Sequence, residues 1–484
     1  MAKMIYSLMI AMIMIVSMAR CDVIMVFEYC RHGARGSLAD LSNGSQWIND
    51  WGVEQLTGIG MRMQHYLGRT MKNNYHTIFD KDFTPDHMDA YATNFNRTIA
   101  SGLSQFTGIF DMFKGPELPF DEFDTRLQPP KLTIDPKVGF KTALPKGYTP
   151  IPIISKLNQR KMQIIKEDCP YGNKRALDAQ KSLGEYLMSK PKVLELAKKG
   201  ALEYGISDIS DINYKGKKVR SIDIETLFYL GDFVIQDYLH NPSPTIPKTM
   251  YGKPAPLYHQ LETGYSIATM SRFNDTEFTR AVISELLYEI LEYMDRKISD
   301  KSYAKRFVLY SGHDDMMTAI MLAIGYLDQT CLIDSLVDGE YRECRQSPDL
   351  ASSIVWELHD EYDSHFVKVK YNADFVDFCG LGNKNNEYRC SIEEFAKRLE
   401  AVGNKDYKDW CLYGDEKQVL EGLEKIWRYI VISLLICLII VVIGCSATTY
   451  KVYSRLDDAN QQDNILVDQE EVQYASIAVK PEVN

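Results

Sequence analysis

The residues best equipped for chemistry lie in three short stretches. Residues 28–37 read EYCRHGARGS and present Arg31, His32 and Arg35 around Gly33. Residues 91–98 read YATNFNRT and present Arg97, and residues 310–315 read YSGHDD and present His313 beside Asp314. Arginine offers a planar, permanently charged fork that grips phosphate oxygens two at a time. A neutral imidazole nitrogen can attack phosphorus and divide one difficult displacement into two easier ones. A neighbouring carboxylic acid can protonate the departing oxygen. A cationic pocket with one acid beside it suits phosphoryl transfer, whose transition state spreads charge over the equatorial oxygens. Each stretch alone also reads as a polar turn at a strand end, and His313-Asp314 also as a metal-ligand pair. Only their convergence selects the phosphate site.

Convergence requires elements that bring the stretches together. The apolar run VIMVF at residues 23–27 reads as a buried parallel strand leading straight into the first stretch. Residues 88–93 read as a second strand, and residues 306–326 as a strand, a tight Ser-Gly turn and a helix. Residues 353–358 and 366–371 supply two more strands. Residues 52–71 and 278–294 carry apolar side chains at helical spacing. Strands alternating with helices predict an α/β sheet. In such sheets ligands sit beyond the carboxyl ends of the strands, where all three stretches fall. Residues 115–253, richer in Pro, Tyr and Lys, with helices at 176–188 and 222–238, read as a cap.

Composition narrows the class. The net charge of −11 leaves no domain-wide basic excess for neutralising nucleic-acid phosphates, so no nucleic-acid partner is expected. No Gly-x-x-x-x-Gly-Lys-Ser/Thr loop is present, which excludes a nucleotide P-loop. Residues 1–20 have an early lysine, an apolar core and small residues near Ala19, the pattern of a secretory signal peptide; an uncleaved anchor helix is the other reading. Residues 429–450 contain no charged side chain, long enough for a bilayer-spanning helix, with Trp427, Tyr429 and Tyr450 at its edges. The expected order is therefore signal peptide 1–20, lumenal or extracellular body 21–428, span 429–450 and cytosolic tail 451–484. In the tail, Tyr453 and Tyr474 each fit a Tyr-x-x-apolar endocytic pattern. Sequons at Asn43, Asn96 and Asn274 fit a lumenal body, as do eight cysteines outside the span. None of those cysteines forms a CxxC pair, so a zinc site is not expected. Cys30, ending an apolar strand, is expected as a buried thiol.

Arg31-His32-Gly33-Ala34-Arg35 resembles the Arg-His-Gly-x-Arg signature of the histidine acid phosphatases, and His313-Asp314, about 280 residues downstream, resembles their His-Asp pair. The helix at 52–71, ATNFNRT, ASSIVWEL, VKVKYN and CSIEEF are similar to further landmarks of that family in the same order. The resemblance implies an α/β core, with a mixed central sheet flanked by helices, and a mainly helical cap. It implies that His32 forms a phosphohistidine, that Arg31, Arg35, Arg97 and His313 bind the substrate phosphate, and that Asp314 protonates the leaving group. It implies no metal and no cofactor, phosphate monoesters as substrates, and leaves a homodimer open. The lysosomal and prostatic, membrane-anchored branch fits best. A lysosome, vacuole or cell surface is the expected location. By the resemblance Cys169 pairs with Cys390 and by proximity Cys331 with Cys344, leaving Cys379 with Cys411. The chain departs from the family at Gly36-Ser37, Asn94, Asn96 and Pro348-Asp349-Leu350, which bears on rate and substrate preference. Two other functions stay open: a phytase-like phosphatase of the same fold, and a catalytically silent surface glycoprotein that binds a partner.

Overall fold

The structure is a computed structural model that describes residues 21–38, 40–41, 52–80, 83–115, 117–119, 141–155, 161–162, 168–207, 212–214, 217–218, 222–362, 364–382, 388–414 and 417–475. The signal-peptide segment, Asn43, residues 476 and 477 of the Tyr474 pattern, and much of the cap's first third lie outside them. The chain divides into two compact units, Met1–Gly414 and Asp415–Asn484.

The first unit is built on an 8-stranded sheet. Its strands are β1 (Cys21–Arg31), β2 (Met88–Ala92), β3 (Ile154–Ser155), β4 (Phe307–Gly312), β5 (Ser353–Glu361), β6 (Ser364–Tyr371), β7 (Asp374–Val376) and β8 (Cys390–Ser391). The order is β7-β6-β5-β1-β4-β2-β3, with β8 paired to β6. Neighbours among β1, β4, β2 and β3 run parallel, whereas β5 lies antiparallel to β1 and begins a meander with β6 and β7. The sheet is therefore mixed, and the first strand is parallel on one side only.

Side chains of β1 alternate between two cores, as the two-residue period of a strand requires. Met25, Phe27 and Tyr29 face a large core shared with Tyr310, Trp356, Leu358 and the helices of one layer. Val26 and Cys30 face a smaller core with Met71, Phe106, Ile109, Phe307 and Leu309. The smaller core lies under α1 (Gly58–Asn74) and α2 (Asn96–Ile109). The larger includes α3 (Pro170–Met188), α4 (Pro191–Glu203), α5 (Ile224–His240), α6 (Pro256–Met270), α7 (Thr276–Ser299), α8 (Asp314–Ala323), α9 (Gln329–Asp338), α10 (Ile392–Val402) and α11 (Tyr407–Tyr413). Past residue 253, α6, absent from the sequence reading, packs along α5.

The first helix begins at Gly58, later than its apolar spacing predicts. Thr57 caps it, its side chain accepting from the Gly60 N–H, while Gly52 and Glu54 adopt positive φ and turn the preceding segment back along the Arg35 loop. Two disulfide expectations are corrected. Cys169 pairs with Cys411 and Cys379 with Cys390, whereas Cys331–Cys344 stands as expected. The reason is placement: Cys169 sits at the start of α3, against which α11 packs, and Cys379 and Cys390 flank a short excursion between β7 and β8 at the same sheet edge. Cys30 is buried and unbridged.

The second unit is described from Lys417 onward as one helix, α12 (Lys417–Ala475). Within it, Glu424–Ala459 is long and apolar enough to cross a membrane and encloses the expected span; it is the only such helix among the described residues.

Candidate active site

Strand register assembles the site. Arg31 stands opposite Gly312 in the β1–β4 pairing, and Ala92 opposite Ser311 in the β2–β4 pairing. The residues that follow, His32, His313 and Thr93, must therefore leave the sheet side by side. His32 donates its N–H to the Gly312 carbonyl at 3.0 Å, and Thr93 donates to Ser311 at 3.1 Å. The His32 and His313 rings lie edge to face with centroids 5.5 Å apart. Arg97 arrives from the first turn of α2. All six residues predicted from the sequence are thus gathered at one end of three adjacent strands.

Glycine makes the loop possible. A Cβ on Gly33 would lie 2.3 Å from the Gly60 carbonyl, and one on Gly60 would lie 2.0 Å from the Ala34 carbonyl. Only two bare backbones can pass this closely. The crossing pins the loop against α1, whose Gln64 donates to the Arg31 carbonyl at 2.8 Å.

The His32 ring keeps one nitrogen free of the backbone contact made by the other. Nδ1 lies 2.9 Å from the Gly33 carbonyl, and a carbonyl only accepts, so Nδ1 carries the proton and Nε2 keeps its lone pair. Burial, then Arg97, Arg35, Arg31 and His313, holds the imidazolium well below the ordinary histidine range. His32 is therefore neutral far into acid. His313 is pushed down to about 3 by burial and the same arginines, against the pull of Asp314. Its Nε2 lies 2.9 Å from the Thr93 hydroxyl, which donates onward to Thr98 at 2.8 Å.

Each arginine of the cluster meets a carboxylate. Arg31 Nη2 lies 2.8 Å from Asp314 Oδ2, while its Nη1 donates to the Pro348 carbonyl at 2.6 Å. Arg35 makes a two-pronged pair with Asp232 at 2.8 and 3.2 Å. Arg97 donates to Glu54 at 3.1 Å and lies over the Phe95 ring. Crowding shows at Arg97, which burial and Arg35 bring down to about 10 despite Glu54. The Nε–H groups of Arg31, Arg35 and Arg97 are buried and make no hydrogen bond within the described residues. Three unanswered donors around one neutral histidine describe an anion site.

Asp314 opens α8 and is the most exposed of the group, with 16% of its side chain accessible. Burial would raise its carboxyl, but Arg31 and the Tyr265 hydroxyl outweigh it and hold it below the usual carboxylate range. Among the described residues no group of three or more His, Cys, Asp or Glu is placed to hold a metal ion.

Sequence reading missed the partners: Asp232 on α5, Glu54 before α1 and Tyr265 on α6. Asp232 left one signal, a lone charge within the apolar run LFYLGDFVIQ. Glu54 and Tyr265 left none, because neither belongs to a strand end and the chain has 30 tyrosines.

A model of the histidine phosphatase superfamily (branch 2) matches residues 25–372. The chain is 22% identical over 399 residues to lysosomal acid phosphatase of Bos taurus, covering 79% of this chain and 78% of that protein. Against the Homo sapiens lysosomal acid phosphatase it is 20% identical over 390 residues, with the same coverage. Among solved structures it is similar to a Klebsiella sp ASR1 phytase, with a TM-score of 0.50 and 13% identity over 80% of this chain and 98% of that one. It is also similar to a Bifidobacterium longum multiple inositol polyphosphate phosphatase, with a TM-score of 0.51 and 11% identity over 78% and 92%. At such identity the structural likeness is one of fold. The family match, however, runs from β1 through β6 and takes in every residue of the cluster: this chain belongs to the histidine phosphatase superfamily, branch 2, and is a phosphatase.

Proposed function

We propose that the protein is an acid phosphatase hydrolysing phosphate monoesters through a phosphohistidine on His32. The observation that carries the proposal is the fixed tautomer of His32 beside arginines whose Nε–H groups make no hydrogen bond within the described residues. Arg31, Arg35, Arg97 and His313 bind the phosphate. The Nε2 lone pair forms the phosphorus–nitrogen bond as the ester oxygen departs with its electron pair and takes a proton from Asp314. The ring then carries positive charge, which the Gly33 carbonyl facing Nδ1–H stabilises. In the second half, water attacks phosphorus, its proton passes to Asp314, and the electrons of the phosphorus–nitrogen bond return to Nε2.

The apolar helix Glu424–Ala459 and the resemblance to proteins named lysosomal support a single-pass anchor, with residues 21–428 on the lumenal or extracellular side and residues 451–484 in the cytosol. We place the enzyme in a lysosome or vacuole, ahead of the cell surface.

The test is to trap the intermediate. Enzyme stopped with denaturant during turnover, and kept out of acid, is expected to carry phosphate on His32, and His32→Ala to lose turnover while staying folded. Near-normal hydrolysis by that variant would sink the covalent route.

A further inference from the structure

We propose that Tyr265 is the positioning residue that couples the phosphate clamp to the proton donor. The inference rests on the role proposed for Asp314 and goes beyond it. The Tyr265 hydroxyl donates to Asp314 Oδ2 at 2.6 Å and accepts from Arg31 Nη2 at 2.7 Å. The same Nη2 lies 2.8 Å from the same Oδ2. Three polar atoms thus close a triangle whose corners are clamp, acid and phenol.

The ring cannot drift from this position. It is 3% exposed and stacks on Phe228 with centroids 5.1 Å apart and planes 16° from parallel. Behind it, α5 approaches α6 so closely that a Cβ on Gly231 would lie 2.6 Å from the Tyr265 Cβ. A hydroxyl held this rigidly acts on Asp314 as a fixed dipole rather than as a mobile contact.

Its consequence follows from which state of Asp314 it favours. In the free enzyme Asp314 answers both Arg31 and Tyr265. A bound phosphate competes for Arg31, and the carboxylate loses its cation. The phenol O–H, which among the described residues hydrogen-bonds Asp314 and Arg31, stays and still favours the ionised form. Tyr265 thereby limits how readily Asp314 takes up the proton it must donate, and so sets where in pH the acid step fails. The other charged or titratable groups acting on Asp314 are His313 from its own turn and Arg35 from the β1 loop, with Arg97 from α2 and Tyr29 from β1 also within electrostatic reach. Arg35 also feels the Tyr265 hydroxyl at a distance, but among the described residues none of the four hydrogen-bonds it, so each keeps its place in Tyr265→Phe.

The experiment compares pH profiles of kcat, which report groups in the enzyme–substrate complex, for the full chain and Tyr265→Phe, on an alkyl phosphate and on a nitrophenyl phosphate. The second ionisation of each substrate is common to both enzymes and cancels. Loss of one hydrogen bond to a charged group is expected to move the alkaline limb for the alkyl phosphate up by about one pH unit. The nitrophenyl limb is expected to stay, because that leaving oxygen departs without a proton. A uniform loss on both substrates with unmoved limbs, or an equal shift on both, overturns the proposal. Phe228→Leu loosens the ring's seat but keeps the hydroxyl. If it moves the alkyl limb as far as Tyr265→Phe does, packing is responsible and the proposal falls. Asp314→Asn, run alongside, separates the two ideas: equal losses on both substrates would remove Asp314 as the acid, whatever Tyr265 does.

Discussion

In the free enzyme the Asp314 carboxyl is ionised near neutral pH, because Arg31 and Tyr265 outweigh its burial. Donation requires the protonated form. Activity that depends on it is therefore lost as pH rises through the Asp314 value in the complex. His32 must be neutral, and activity is lost on the other side only as pH falls through a value held well below the ordinary histidine range. The two limits enclose an acidic window. Within it, Asp314→Asn keeps the side chain's shape but has no proton for an alkoxide. Hydrolysis of an alkyl phosphate is expected to fall by roughly 10²–10⁴, the usual worth of a general acid. A nitrophenyl phosphate is expected to lose far less. Steady-state rates at the pH optimum of the parent enzyme decide the matter, and equal losses would assign Asp314 to phosphate binding alone.

At the scale of elements, β1 does more than aim Arg31. Its Glu28 points into the smaller core, where Gln105 donates to Oε2 at 2.6 Å and Oε1 has no partner within the described residues. Burial raises this carboxyl to about 8, against the Gln105 hydrogen bond. The folded chain thus keeps a proton that the unfolded chain releases above its ordinary value near 4.5. Stability falls as pH rises between those values. On β5, Glu357 has the opposite sign. Burial would raise it, but His359, Lys370 and Tyr75 bring it down to about 2, so its contribution is lost only as pH falls below the ordinary carboxylate range. The pair favours a fold that is most stable in mild acid. Glu28→Gln, nearly isosteric, is expected to flatten the decline, raising the melting temperature at about pH 8 more than at about pH 5. A shift of equal size at both pH values would remove Glu28 as the cause.

The same scale explains what the sequence disclosed. A strand that ends in Arg-His-Gly is local information, and parallel register then forces His32, His313 and Thr93 together, so the gathering of the six candidate residues was legible. Asp232, Glu54 and Tyr265 are not. They reach the site because α5 and α6 cross the sheet's end and because residues before Gly58 turn back, and both are properties of packing between distant segments. The expected partner of Cys169 failed for the same reason. Cys169 meets Cys411 across a sequence separation of 242 because α11 docks on α3, which neither spacing nor proximity in sequence encodes.

At the scale of the whole molecule, the boundary between the two units falls between Gly414 and Asp415. The last part of the first unit is α11, and it is tied in three ways. Trp410 is 7% exposed and meets the Tyr171 ring edge to face at 5.4 Å. Tyr407 is buried as well, and Cys411 bridges to Cys169. A chain ending at residue 414 keeps all three, whereas one ending at residue 405 loses all three. The shorter chain forfeits a bridge closing a long loop, a loss of about 2–5 kcal/mol by itself, with the burial of Trp410 in addition. The proposed catalytic groups lie on β1 and the loop after it, at the end of β4, and on α2 and α8, so the longer chain should need nothing from α12. If the proposed anchor and lumenal body are right, we expect the 414-residue form to appear in the medium of expressing cells with turnover per molecule equal to that of the full chain. The 405-residue form should be retained or degraded, and any that is recovered should unfold at lower temperature. Turnover lost in the 414-residue form would mean that the apolar helix serves the site itself, and the division of the chain into a catalytic body and an anchor would have to be abandoned.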